Sequence, residues 1–344
     1  MTQPPSPLTM LFSRHTKRRQ FVAGLGFTAA WPLVARAQRP EPVRHVGVLM
    51  NGVPGDAVGQ DDLMAFRQGL MELGWIEGRN IDIEFRWPGG DIERAQTFAK
   101  ELVGLRPDVL LVRTTPAADA LKKETITIPI VLVNVVAPVE QGFVYSLARP
   151  GGNITGFTNF EESVGGKMLQ LLKEIDPRIK RVAMIYNPQT APFGGLYLHS
   201  MESAASVLAV EPVTMLVQSV ADIEAAMTAF ARQPGGGVVA IPDSFTVQNR
   251  DRIIALAARY RVPALYTNLS ATPSGGLMAY AVDTRDLMHR AASYIDRILK
   301  GAKPGDLPVQ QPARFQLSIN LKTAKAIGLD VAPNLAARAD EVIE

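Results

Sequence analysis

From Val43 onward the chain alternates short runs of Val, Ile and Leu with longer stretches in which apolar residues recur every three or four positions. The first pattern suits a strand buried on both faces, the second an amphipathic helix. It predicts strands over 45–50, 81–87, 109–113 and 130–135, separated by helices over 62–73, 92–105 and 117–124. Leu63, Phe66, Leu70 and Leu73 mark one face of the first helix, and Gly74 ends it. The alternation restarts after Gly151-Gly152-Asn153 with a helix over 161–175, a strand over 181–186, a helix around 196–208 and a strand near 213–217. A helix over 221–232, a strand over 237–241, a helix over 247–260 and a strand over 264–267 follow. Beyond Gly275-Gly276 come a strand over 277–282, a long amphipathic helix over 287–299, a turn-rich link holding Gly301, Pro304, Gly305 and Pro308, a strand over 315–320 and a last helix over 323–327.

Strands alternating with helices imply parallel sheets covered on both faces. The expected fold class is α/β: two doubly wound, Rossmann-like lobes, crossed by the chain more than once so that the cleft between them can hinge. Residues 43–156 plus 284–303 are read as lobe 1, and 157–283 plus 309–344 as lobe 2.

The first 37 residues break the pattern. Lys17-Arg18-Arg19-Gln20-Phe21 leads into an apolar run from Val22 to Trp31, and small residues follow at Ala35-Arg36-Ala37. A basic region, a short apolar core and a small-residue cleavage point form an export signal, and the paired arginines point to the twin-arginine route. The run is well short of the roughly 20 apolar residues of a membrane span. Removing 1–37 takes away five basic residues and no acid, which moves the formal net charge from +3 to −2. A basic surface for nucleic acid or anionic membrane is therefore not expected. With no cysteine the chain can form no disulfide and offers no lipid attachment at the cleavage point, so a free periplasmic protein is expected.

Ligands of open α/β sheets gather beyond the carboxyl ends of the strands. After the first predicted strand, Asn51-Gly52 opens a turn whose backbone N–H groups can meet a ligand or simply turn the chain. Thr114-Thr115-Pro116 follows the third, with Thr115 placed as N-cap and Pro116 at the first helical position; this start can hold a substrate carboxylate or be plain capping. Asn134 ends the fourth strand with a donor and an acceptor. On the second lobe the matching positions are Tyr186 and Asn187, then Asp243, then Asn268. Asp243 can pair with a ligand ammonium or start a helix. Tyr280 and Asp283 lie near a crossing between lobes, and Phe193 sits in a loop that can close over a ligand.

Signals for catalysis are missing. The part after the leader has three scattered histidines, His45, His199 and His289, of which His45 is read as a core residue and the others as surface or interface residues. No pair is spaced for a metal, and no nucleophile elbow, zinc-protease motif or phosphate loop occurs. Gly24-Leu25-Gly26-Phe27-Thr28-Ala29 imitates a dinucleotide fingerprint but lies inside the leader and follows no strand. No cofactor and no enzymatic activity are expected.

Several runs carry a resemblance. They are Arg18-Arg19-Gln20-Phe21 with Ala35-Arg36-Ala37-Gln38, Phe66-Arg67-Gln68-Gly69-Leu70 with Leu73-Gly74-Trp75, Ala148 to Gly156, Ile298 to Pro304 and Ile319 to Lys325. Over nearly its whole length the chain resembles the substrate-binding proteins of an ABC transporter family common in soil proteobacteria. The resemblance implies a type I periplasmic binding fold, a small organic solute held between the lobes, an inner-membrane permease as partner and a monomeric state. Relatives include binders of aromatic amino acids. A ligand-sensing receptor that presents its solute to a signalling partner is the alternative on the same fold. Many members carry an aspartate directly before the proline after the fourth strand, where this chain has Ala137.

Overall fold

The computed structural model describes residues 42–344; the leader read at 1–37 lies outside them. The first sheet collects β1 (Arg44–Leu49), β2 (Ile81–Arg86), β3 (Val109–Arg113), β4 (Ile130–Val135) and β5 (Ile154–Thr158) in the order β2-β1-β3-β4-β5, all parallel. Alternate side chains of its apolar runs point to opposite faces. Leu111, Val131 and Val133 therefore pack with Phe66 and Leu70 of α1 (Ala57–Glu72), while Leu110, Val112 and Leu132 pack with Leu102 of α2 (Ile92–Gly104) and Leu121 of α3 (Thr115–Glu124). Both faces are dry along β3 and most of β4, which is why these central strands read as hydrophobic runs, whereas the edge strand β2 is half-exposed and alternates apolar with charged residues.

The second half runs α4 (Val164–Ile175), β6 (Arg181–Tyr186), α5 (Gly194–Leu208), β7 (Glu211–Leu216), α6 (Val220–Phe230), β8 (Gly236–Ala240), α7 (Ser244–Gln248), α8 (Arg250–Tyr260), β9 (Ala264–Tyr266) and β10 (Met278–Ala281). The chain then crosses back: α9 (Thr284–Leu299) buries Met288, Ala291, Ile295 and Ile298 in the first lobe's core. It returns through a turn-rich link to β11 (Gln316–Asn320), α10 (Leu321–Ile327), α11 (Pro333–Ala336) and β12 (Glu341–Ile343). The second sheet has the order β12-β11-β10-β9-β8-β6-β7 and is parallel except for the β10/β11 pair. The α/β reading with two lobes holds.

Three crossings join the lobes, and hydrogen bonds tie them together. Thr158 N donates to Gln310 O at 3.0 Å, and Gln310 N donates to Gly156 O at 2.8 Å. Tyr294 donates its hydroxyl to Pro308 O at 2.7 Å and accepts from Gln310 Nε2 at 3.0 Å. Within lobe 1, α9 lies directly on α1. A β-carbon at Gly69 would stand 2.6 Å from His289 O and 2.8 Å from Ala292 Cβ. Gly69→Ala is therefore expected to cost about 1–3 kcal/mol through overpacking, against a helix-propensity gain of about 1 kcal/mol; a urea unfolding curve checks it.

Some local expectations change. The first helix begins at Ala57, not residue 62, because Asp56 caps it by accepting from Gly59 N at 3.0 Å. β5 was not foreseen; its Thr and Gly residues do not read as an apolar run, yet all five are buried. The helix expected over 247–260 is two helices, with the break at Asn249, whose Nδ2 donates to Phe245 O. The helix over 323–327 is not the last, since α11 and β12 follow. His45 is not a core residue: its side chain is exposed and lies 3.9 Å from Asp82. His289 bridges α9 to Glu72 of α1 at 2.9 Å, and His199 is exposed.

Candidate binding cleft

A cavity of about 760 Å³ lies where the carboxyl ends of both sheets face each other. Three left-handed, non-glycine backbone positions cluster on the lobe 1 side: Thr114 at φ +83°, Asn134 at +59° and Ala137 at +43°. A β-branched residue at such a φ is strained, and strain of this kind gathers at functional sites. Its local cause at Asn134 is a bulge in β4, where pairing with β5 shifts between Val133 and Val135. The bulge sets Asn134 in the cavity wall. Thr114, not Thr115, occupies the N-cap position of α3, and its side chain makes no capping bond. Thr115 instead turns its hydroxyl to accept from Val136 N at 3.1 Å, which ties the α3 start to the end of β4.

Between these turns the wall carries Arg113, the last residue of β3. Its Nη2 lies 2.8 Å from Asp62 Oδ2, an ion pair out of hydrogen-bond alignment, and its Nε is buried with no partner among the described residues. Asp62 Oδ1 accepts from the Thr284 hydroxyl at 2.9 Å, so a crossing between lobes is bonded directly to the pair. Burial pushes the Asp62 carboxyl above the ordinary carboxylate range, against the pull of Arg113 and the Thr284 bond; Asp283 and Asp56 push the same way as burial.

The facing wall is built from loops after β6, β8 and β9. Asp243 caps α7, accepting from Phe245 N at 3.1 Å and Thr246 N at 3.2 Å. It also accepts from Asn187 N at 2.9 Å and from the Thr190 hydroxyl. Burial raises its carboxyl too, and these four donors oppose the rise. Asn268 accepts from Ser270, which accepts from Arg250 Nη1 at 2.6 Å. Phe193 lies in the wall, 5% exposed and tilted on Tyr197.

Of the residues singled out from the sequence, Asn51, Gly52, Thr114, Thr115, Asn134, Asp243 and Asn268 line the cavity, together with Phe193 and Asp283. Tyr186, Asn187 and Tyr280 do not. Tyr186 packs its ring against Gly194, where a β-carbon would come within 2.3 Å. Asn187 is buried and holds the loop through Asp243 and Gln189. Tyr280 stacks on Phe315 with centroids 5.1 Å apart. Arg113, Asp62, Thr284, Gln248 and Arg250 line the cavity without having been foreseen. A signal existed for Arg113: a lone charge ending an otherwise apolar strand just before a helix start.

The family model for ABC transporter substrate-binding proteins matches residues 51–343. The chain belongs to this family. A tyrosine-binding protein of Clostridioides difficile (strain R20291) is 27% identical over 265 residues, covering 77% of this chain and 75% of that protein. A conserved domain protein from Vibrio cholerae shares 28% identity and superposes with a TM-score of 0.80 over 87% of this chain and 99% of its own. An ABC domain from Streptococcus pneumonia in complex with L-Trp shares the fold at 23% identity, with a TM-score of 0.81 over 88% of this chain and all of its own. Family members bind solutes and are not enzymes. Among the described residues no helix is long and apolar enough to cross a membrane.

Proposed function

We propose that the chain is the periplasmic receptor of an ABC importer, capturing a free amino acid or a related small carboxylate in the cleft and handing it to an inner-membrane permease. The observation that carries this reading is the cavity itself: strand ends from two lobes joined by three crossings face one space of about 760 Å³, within the range of small-molecule sites. Contact across its mouth supports a lobe-closing mode. Gln248 of α7 reaches Gly90 of the first lobe, where a β-carbon would stand 1.5 Å from its Nε2. The tyrosine-binding relative and the L-Trp complex favour an amino acid over a sugar. Export through the leader of residues 1–37 supplies the periplasmic location.

Thermal melts of the purified, ligand-stripped chain against amino acids, small carboxylates, sugars and nucleosides test this reading. A solute at about 100 times its dissociation constant adds about 2.7 kcal/mol and raises the midpoint by a few degrees. The expected hits are amino acids or carboxylates, and deleting the gene should abolish uptake of the labelled hit. Uptake that persists unchanged would contradict the importer role.

A further inference from the structure

We propose that Arg113 is the specificity-determining residue of the cleft, reading one carboxylate of the solute together with the first turn of α3. This rests on the cleft being the solute site. Arg113 is 8% exposed, lines the cavity and faces Asp62 with Nη2; its Nε is sealed, while Nη1 is not and makes no hydrogen bond among the described residues, which leaves Nη1 to meet a solute. A guanidinium carries five N–H donors, and a buried donor left unpaired is costly.

Donors are concentrated beside it. α3 is ten residues long, its N-cap side chain makes no bond, and Pro116 in the first turn has no N–H to offer. Thr115 has turned its hydroxyl toward β4. The first-turn N–H groups therefore have neither an intrahelical acceptor nor a side-chain cap. Arg113 Nη1 and this helix start together suit an acceptor with more than one oxygen.

The rest of the wall decides which oxyanion. Arg250 and Arg285 line the same cavity as Arg113, but six acids, Asp56, Asp61 and Asp283 among them, outnumber the three arginines, so a doubly charged phosphate meets more repulsion than a single carboxylate does. An α-ammonium on the same solute is drawn to those acids, which makes a zwitterion the best match. Uncharged polyols supply hydroxyls but no charge for Arg113. Structures that share this fold at 12–13% identity do hold allitol or myo-inositol, so the fold alone does not set this choice.

Titration calorimetry of the full chain against the natural L-amino acids, their carboxamides, acetate, succinate and myo-inositol tests the assignment. For the best-binding acid, the wild type should prefer it to its carboxamide by about 100-fold, roughly two charge-assisted hydrogen bonds. In Arg113→Gln and Arg113→Lys that preference should fall to within a few-fold; the lysine variant keeps a cation beside Asp62 should the glutamine variant fold poorly. Wild-type affinity for the acid in either folded variant would overturn the role of Arg113, as would a wild type that binds the carboxamide equally well. Binding of myo-inositol alone would overturn the carboxylate assignment while leaving a solute receptor standing. Silence from every probe would contradict both readings.

Discussion

Alanine at Gly156 is expected to remove more than about 4 kcal/mol of stability, the range reserved for severe backbone or packing defects. Gly156 sits in β5 at φ +137°, paired in register with Leu132 of β4. A β-carbon there would lie 2.1 Å from Leu132 O and 2.4 Å from Leu132 N. Both atoms are backbone, so relief requires separating the two strands. β5 also receives the hinge link through Gln310, so the defect should loosen the crossings as well as the sheet. Gly152, in the same sequence run, has open space around its β-carbon position, and Gly152→Ala should stay within about 0.5 kcal/mol of wild type. Urea midpoints of the two variants check this; equal stabilities would mean that β4 and β5 do not meet as described.

Asp62→Ala is expected to cost about 3–5 kcal/mol, because it strands a buried guanidinium. The ion pair is nearly sealed, with side-chain exposures of 10% for Arg113 and 0% for Asp62. Breaking it from the other side should be milder. Arginine keeps its proton under all ordinary conditions, whereas Asp62, already raised by burial, can take one up. Arg113→Met thus leaves a neutral acid rather than an unpaired charge.

The pH dependence follows from that direction. A folded carboxyl whose pKa lies above its unfolded value of about 3.9 binds more protons in the native state. Its contribution is complete below the unfolded value and is lost as pH rises through the folded one. The loss should extend to higher pH in Arg113→Met, where the lowering influence of Arg113 is gone, and should vanish in Asp62→Ala. Urea melts of the three proteins from acidic to neutral pH measure it. An Asp62→Ala protein as stable as wild type would contradict the buried pair.

The central strands of the first sheet were legible because both of their faces are dry, and Val109 to Val112 shows that as an unbroken apolar run. Boundaries set by capping were harder, since Asp56 and Asp243 start helices through side-chain bonds that apolar spacing does not register. β5 was missed because its identity comes from close backbone approach at Gly156, not from apolar side chains. At the cleft, the strand-end rule found Asn51, Thr114, Asn134, Asp243 and Asn268. It could not separate a wall residue such as Asn134 from a loop-holding one such as Asn187, since both are asparagines next to strand ends. The Arg113–Asp62 pair was invisible for another reason: its members are far apart in sequence, on β3 and α1. Only the packing of α1 and α9 over the sheet brings Asp62, Thr284 and Arg113 together.

Capture in the cleft as proposed requires one solute to touch both lobes at once. Hydrogen–deuterium exchange of the full chain, with and without the best hit from the solute panel, tests it most directly. Added protection is expected at residues 51–56, 113–118 and 134–136 of the first lobe and, in the same experiment, at 243–248 and 267–270 of the second. Protection confined to one lobe, or appearing only outside these strand-end loops, would contradict capture in the cleft.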